Sequence, residues 1–190
     1  MDEVLFVCTG NLCRSPAAAL LLRRELADAG RADVTVHSAG TMGSDVGSPL
    51  LLVAEGSAFG LDLGAHVPRT VAADMMETAD LVVGLAREHV RETVVALPTS
   101  FPRTFTLREI VRRGLAAGPR QRGEDLGTWL ARLHEGRLRA DLMGASPDDD
   151  VIDPMGGTPD DYRLMLSEVE ALTRSLRTLA WPVATPPDAG

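Results

Sequence analysis

The run Val4-Leu5-Phe6-Val7-Cys8-Thr9-Gly10-Asn11-Leu12-Cys13-Arg14-Ser15-Pro16 decides how this chain reads. Apolar residues 4–7, without alternation and ending in a short glycine-containing loop, predict a strand buried on both faces. Ser15-Pro16 then opens a helix, with proline at the first helical position, where its missing N–H is no loss. A strand, a tight loop and a helix start together make an anion site, because the loop's backbone N–H groups converge on one point. Arg14 can grip two phosphoryl oxygens at once. Cys8 lies in the same positive field, which favours its thiolate as a nucleophile. Thr9, Gly10, Asn11, Leu12, Cys13 and Ser15 would wrap the bound group. The pattern predicts covalent phosphoryl transfer to a cysteine.

Outward from that run, strands and helices alternate, which argues an α/β fold with a parallel sheet. Strands are expected at 3–8, 33–39, 79–84 and 103–106. Helices are expected at about 16–29, 48–59, from 70 or 73 to 78, and 87–95. Ala18, Leu21, Leu22 and Leu26 mark the buried face of the first. From Leu107 to Asp150 the pattern is less regular, although Leu126, Trp129, Leu130 and Leu133 recur at helical spacing and predict an amphipathic helix over about 124–137. Residues 108–139 hold eight arginines against four acids, read as a solvated helical hairpin in preference to a lid or partner surface. Thr158-Pro159 caps a final helix to about 178. The chain divides into one domain, 1–181, with an insertion at 112–149, and a flexible tail, 182–190.

Composition bounds the function. At 190 residues the chain can bury a proper core, and it has no apolar stretch long enough to span a bilayer. The net charge, 19 − 27 = −8, argues against nucleic acid or an anionic membrane as a partner. A cytoplasmic location follows as the default. Lysine is absent, so the Gly-Lys-Ser/Thr signature of nucleotide-binding loops is absent too. Both cysteines sit in one loop, too close for a structural staple. Cys13 reads equally as a packing residue or as a redox partner that could trap an oxidised Cys8 in a disulfide. The four histidines, 37, 66, 89 and 134, are scattered, and no metal site is expected.

Phosphoryl transfer needs a group to protonate the leaving oxygen and then to activate water. Asp153, in the Gly-rich stretch Asp153-Pro154-Met155-Gly156-Gly157, is the candidate. With the thiol loop, Ser38-Ala39-Gly40-Thr41 and the late Asp-Pro, the chain resembles the low-molecular-weight protein tyrosine phosphatase family over about 1–111 and 150–180. The resemblance implies a four-stranded parallel twisted sheet with helices on both faces, no cofactor, no metal, and inorganic phosphate as product. It implies Cys8 as nucleophile, Arg14 as phosphate clamp and Asp153 as general acid, then base. It also implies that Asn11 holds an unusual backbone conformation, with Ser15, Ser38 and His66 in support. Arg69 matches a basic position near the site.

Departures from the family pattern bear on the substrate, a phosphorylated protein or a small phosphomonoester. Members selective for phosphotyrosine place aromatics after Asp-Pro, where this chain has Met155-Gly156-Gly157. Residues 41–49 hold no aromatic either, so Trp129 is a candidate to stack on the ring. Asp-Pro followed by a hydrophobe and Gly-Gly is nearer a bacterial branch that includes arginine phosphatases. That branch has threonine at the position of Leu12, whereas an aliphatic residue there accords with phosphotyrosine. Phosphotyrosine is therefore the expected substrate. The rival readings are an arginine phosphatase, an arsenate reductase resolved by an external thiol, and a noncatalytic phosphate-binding module.

Overall fold

Residues 4–7 run through the middle of a four-stranded parallel sheet and are all but fully buried. The computed structural model describes residues 1–183; the tail expected at 182–190 lies almost wholly outside them. Strand β1 is Asp2–Cys8, β2 Val34–Gly40, β3 Leu81–Gly84 and β4 Thr104–Thr106, in the spatial order β2-β1-β3-β4. An interior strand pointing side chains into cores above and below must be apolar at every position, which explains the unbroken run in β1 and in Leu81-Val82-Val83. Burial of each such side chain is worth about 1.5–3 kcal/mol.

Helices cover both faces. Helix α1 (Arg14–Asp28), α2 (Leu50–Ala58), α5 (Leu107–Ala117), α6 (Leu126–His134) and α7 (Pro159–Ala180) share the larger core with Val4 and Phe6. The short α3 (Ala73–Thr78) packs on the other face with Leu5, Val7 and Val82. Beside it, α4 (Arg87–Ala96) builds a third cluster from Val90, Val94, Phe101 and Leu142. Phe101 belongs to a 3-10 turn, Pro98–Arg103, and Leu142 to another, Arg139–Leu142.

The chain runs from β1 out to β2, then crosses back to β3 on the other side of β1. That reversal leaves a crevice beyond the carboxyl ends of β1 and β3, where open α/β sheets bind ligands. Cys8 is the last residue of β1 and pairs with Gly40 of β2.

Helix α5 is the first arm of the helical hairpin expected over 108–139, with bounds that the sequence pattern did not show. No loop separates it from β4: Thr106 ends the strand and also caps the helix, accepting from Glu109 N at 3.1 Å. Its buried face, Leu107, Ile110, Val111 and Gly114, follows helical spacing, interrupted in the sequence by Arg108, Arg112 and Arg113. Gly114 is required for packing, since a Cβ there would lie 3.0 Å from Leu179 and 3.2 Å from Trp129.

The arginine-rich stretch turns inward. Arg108, Arg112, Arg113, Arg120, Arg132 and Arg137, six of its eight arginines, pair with carboxylates. Arg137 is buried, bonds Glu109 through Nε at 2.7 Å and Nη2 at 3.0 Å, and lies 3.9 Å from the Phe105 ring centroid. Trp129 is fully buried and its indole N–H donates to Gly118 O at 3.1 Å. It cannot stack on a substrate at the crevice, which corrects that expectation: α6 extends the main core.

Candidate active site

The candidate catalytic loop, residues 8–15, is suspended between the end of β1 and the start of α1. Helix α1 begins at Arg14, two residues earlier than proline placement predicts, so the arginine stands in the first turn and is 5% exposed. The loop is laced to the end of β2 by Thr41 N donating to Cys8 O at 2.9 Å and Met42 N to Thr9 O at 2.8 Å. Gly40 makes this close approach possible. A Cβ on it would sit 2.6 Å from Thr9 O and 2.9 Å from Asn11 N.

Asn11 is the one non-glycine residue with positive φ among the described residues, at 54°. Asparagine tolerates that region better than most residues, and here three hydrogen bonds hold it. Its Nδ2 donates to Ser15 Oγ at 2.9 Å and to Ser38 Oγ at 3.0 Å, while its Oδ1 accepts from Arg69 N at 3.1 Å. His66 Nε2 lies 2.8 Å from Asn11 O, and Arg69 Nε donates to Ser38 O at 2.8 Å. Ser15, Ser38, His66 and Arg69 therefore converge on one strained residue. The Ser48 hydroxyl donates to Leu12 O at 2.9 Å, tying the loop before α2 to the site.

Cys8 Sγ lies 3.0 Å from Ser15 Oγ, both groups buried. The Ser15 hydroxyl can also donate to Ala39 O at 3.3 Å. While Cys8 carries its proton, S–H can donate to Ser15 and Ser15 to Ala39. Once the sulfur is a thiolate, the same hydroxyl can turn to it. One rotor thus serves both states of the nucleophile.

Opposite the loop, Arg14 Nη2 and Asp153 Oδ2 are 2.7 Å apart, Arg14 buried and the Asp153 side chain 46% exposed. Asp153 Oδ1 accepts from Met155 N at 3.1 Å, a local turn that fixes the carboxyl. The segment is pinned to the sheet by Val151 N donating to Leu85 O at 2.8 Å, and Asp150 Oδ1 accepts from Arg87 N at 2.7 Å. Arg14, from the loop that begins at Cys8, and Asp153, from a distant part of the chain, thus meet beside one crevice.

Cys13 is buried in the loop. Its thiol is pushed up to about 12, chiefly by burial and then by the charges of Asp153 and Cys8, with Arg14 opposing. A sulfur that keeps its proton attacks poorly. It donates instead to Met155 Sδ at 3.3 Å, which supports the packing role.

Sequence reasoning passed over His89 of α4, which approaches Thr9 within the loop. Its only signal was a histidine in the first turn after an interior strand, and the 80 residues between the partners hide the contact. Also unread was a cleft of about 640 Å³ beside Arg14 and Asp153, walled by Glu88 and Arg91 of α4 and by Met143, Gly144 and Ala145. The last three belong to the end of the stretch expected as an insertion, 112–149, so this part of it reaches the cleft.

The family model described as "Low molecular weight phosphotyrosine protein phosphatase" matches residues 3–116, well over half of the chain. The chain belongs to that family. It is a phosphatase of the low molecular weight class, and its sheet order and helical layers are those of solved members. The protein-arginine-phosphatase of Bacillus subtilis is 28% identical over 175 residues, covering 92% of this chain and 93% of that protein. The low molecular weight protein-tyrosine-phosphatase Etp of Escherichia coli is 26% identical over 129 residues, 65% of this chain and 81% of Etp. A YwlE arginine phosphatase mutant with a phosphorylated active-site serine superposes with TM-score 0.68 at 27% identity, covering 92% of each chain.

Met42, Ile152 and Met155, all at least half exposed, lie beside the loop or the cleft. Among the described residues, no helix is long and apolar enough to cross a membrane.

Proposed function

We propose that this phosphatase hydrolyses phosphotyrosine in proteins through a phosphocysteine on Cys8. The observation that supports it best is the sulfur lying 3.0 Å from a buried hydroxyl in a loop closed by the Arg14–Asp153 pair. An incoming phosphoryl group competes with Asp153 for Arg14, and the guanidinium takes two of its oxygens. The Cys8 thiolate attacks phosphorus, the bond to the tyrosine oxygen breaks, and the Asp153 carboxyl gives its proton to the departing phenolate. Water then attacks the phosphocysteine, Asp153 takes the water's proton, and the thiolate leaves with the Ser15 hydroxyl donating to it. The products are a free tyrosine side chain and inorganic phosphate. Thr9, Gly10, Asn11, Leu12 and Cys13 supply the cradle.

The choice of phosphotyrosine rests on the walls. Leu12 and Met155 present apolar surface, against which an aryl ring gives up little hydration. A guanidinium would bring N–H donors that need acceptors, and Asp150 is already committed to Arg87 N and Ser146 N, which leaves Glu88 as the cleft carboxylate outside the reaction steps. A second reading, phosphoarginine, is favoured by the arginine phosphatase similar over 92% of the chain and by the Met-Gly-Gly that follows Asp-Pro. A cytoplasmic location accords with the two free thiols. The test is turnover of peptides carrying phosphotyrosine, phosphoarginine or phosphoserine, with arsenate alongside and Cys8→Ser as control. Phosphotyrosine should lead by at least tenfold. Preference for phosphoarginine, thiol consumption driven by arsenate, or binding without turnover would each replace the proposal with the corresponding rival.

A further inference from the structure

His89 has no part in the steps above, yet it is fully buried beneath the catalytic loop. It sits in the first turn of α4 with Nε2 3.0 Å from Thr9 Oγ1. Glu88 Oε1 lies 3.4 Å from the same nitrogen, and Nδ1 is buried without a partner. Burial, reinforced by the charge of Arg14, holds this histidine down to about 3, so the ring is neutral at working pH.

A neutral imidazole has one N–H to place. On Nδ1 the hydrogen would be buried with no acceptor, while the Nε2 lone pair faced the Glu88 carboxylate. Both features are unfavourable. On Nε2 the hydrogen finds Thr9 Oγ1, and the orphan is only a lone pair on Nδ1. The Nε2–H tautomer follows. Thr9 Oγ1 is then an acceptor, so its own hydrogen must leave in another direction. Among the described residues no other side-chain or backbone group bonds that hydroxyl, and Thr9 directly follows Cys8 in the loop.

We propose that His89 is a positioning residue: by donating Nε2–H to Thr9 Oγ1 it commits the Thr9 hydroxyl hydrogen to the phosphoryl oxygens held in the loop. The cradle thereby gains a side-chain O–H donor beside its backbone N–H groups. A donor aimed in advance at developing negative charge acts more strongly in the transition state than in the ground state. The inference rests on the reading of this loop as the phosphoryl site.

Two measurements test it. In the wild-type protein, ¹⁵N shifts of the His89 ring at pH 7 should report a protonated Nε2 and a bare Nδ1; the Nδ1–H tautomer or an imidazolium overturns the proposal. In kinetics on p-nitrophenyl phosphate, Thr9→Val and His89→Leu should each lower kcat/KM by roughly 10- to 100-fold, the value of one hydrogen bond to a charged group. Vanadate affinity should weaken in parallel. Thr9→Ser and His89→Gln, which keep a donor, should recover most of the loss. The double variant Thr9→Val/His89→Leu should be no worse than the poorer single variant, because the two residues act as one unit. Losses that multiply, or a Thr9→Val enzyme with wild-type vanadate affinity, overturn it. A wild-type protein inert toward every phosphorylated substrate would instead refute the reading of the loop itself.

Discussion

Replacing Asn11 by alanine should disable the catalytic loop, and the structure allows the size to be worked out. The side chain is fully buried and makes three hydrogen bonds, to Ser15, Ser38 and the Arg69 backbone. At about 1 kcal/mol each, their loss costs about 3 kcal/mol. Alanine at φ 54° adds about 1 kcal/mol, because its Cβ crowds the backbone there without the local hydrogen bonds that compensate asparagine. The sum, about 4 kcal/mol, corresponds to a fall in Tm of about 8–16 °C for a domain of this size. If most of it is expressed locally, as a loop that no longer holds its N–H groups together, about 3 kcal/mol is roughly a 100-fold loss in kcat/KM. Thermal melts and p-nitrophenyl phosphate kinetics on Asn11→Ala and Asn11→Gly measure both parts. Glycine accepts the positive φ and should regain about 1 kcal/mol, or about fivefold in rate, while still lacking the side-chain bonds. An alanine variant that melts within 2 °C of wild type and turns over within about threefold, against these scales, would refute the view that this side chain holds the loop.

Asp153→Ala should slow turnover of a phosphotyrosine peptide by about 100-fold or more, and p-nitrophenyl phosphate far less, because nitrophenolate departs without a proton; equal losses would remove Asp153 as the acid. Arg137→Ala should destabilise the fold by about 3–5 kcal/mol, because Glu109 keeps only Arg113 and the Phe101 and Thr104 carbonyls lose their donor, whereas Arg137→Met with Glu109→Leu should recover part of that Tm. Acid should act partly through His89. Its folded value, about 3, lies below its ordinary 6.5, so the unfolded chain binds the extra proton and stability falls as pH drops from about 6.5 toward 3. Between pH 6.5 and 5, ahead of the carboxylates, wild-type Tm should fall more steeply than that of His89→Gln; parallel slopes would contradict a buried neutral ring.

Much of the site was legible because its chemistry is written in one contiguous run. Cys8, Arg14 and the turn between them are local, and Ser15-Pro16 announces a helix through the backbone preferences of those residues alone. Apolar residues in unbroken succession announce an interior strand. Asp153 is far away in sequence but stands in a turn whose Asp-Pro and glycines mark it. The start of helix α5 was obscured because a strand passes into it at Thr106 with no intervening loop to signal the change.

By itself, then, the order of residues settled the α/β class and pointed to the loop and the three candidate catalytic groups, since each depends on neighbours within a turn or two of chain. Tertiary structure alone decided that Trp129 belongs to the core, that most of the basic stretch pairs with carboxylates, half of them from distant parts of the chain, and that His89 reaches Thr9. Those outcomes depend on which distant surfaces pack together, and packing is set by the shape and burial of the whole sheet and its helices, which no local window of sequence contains.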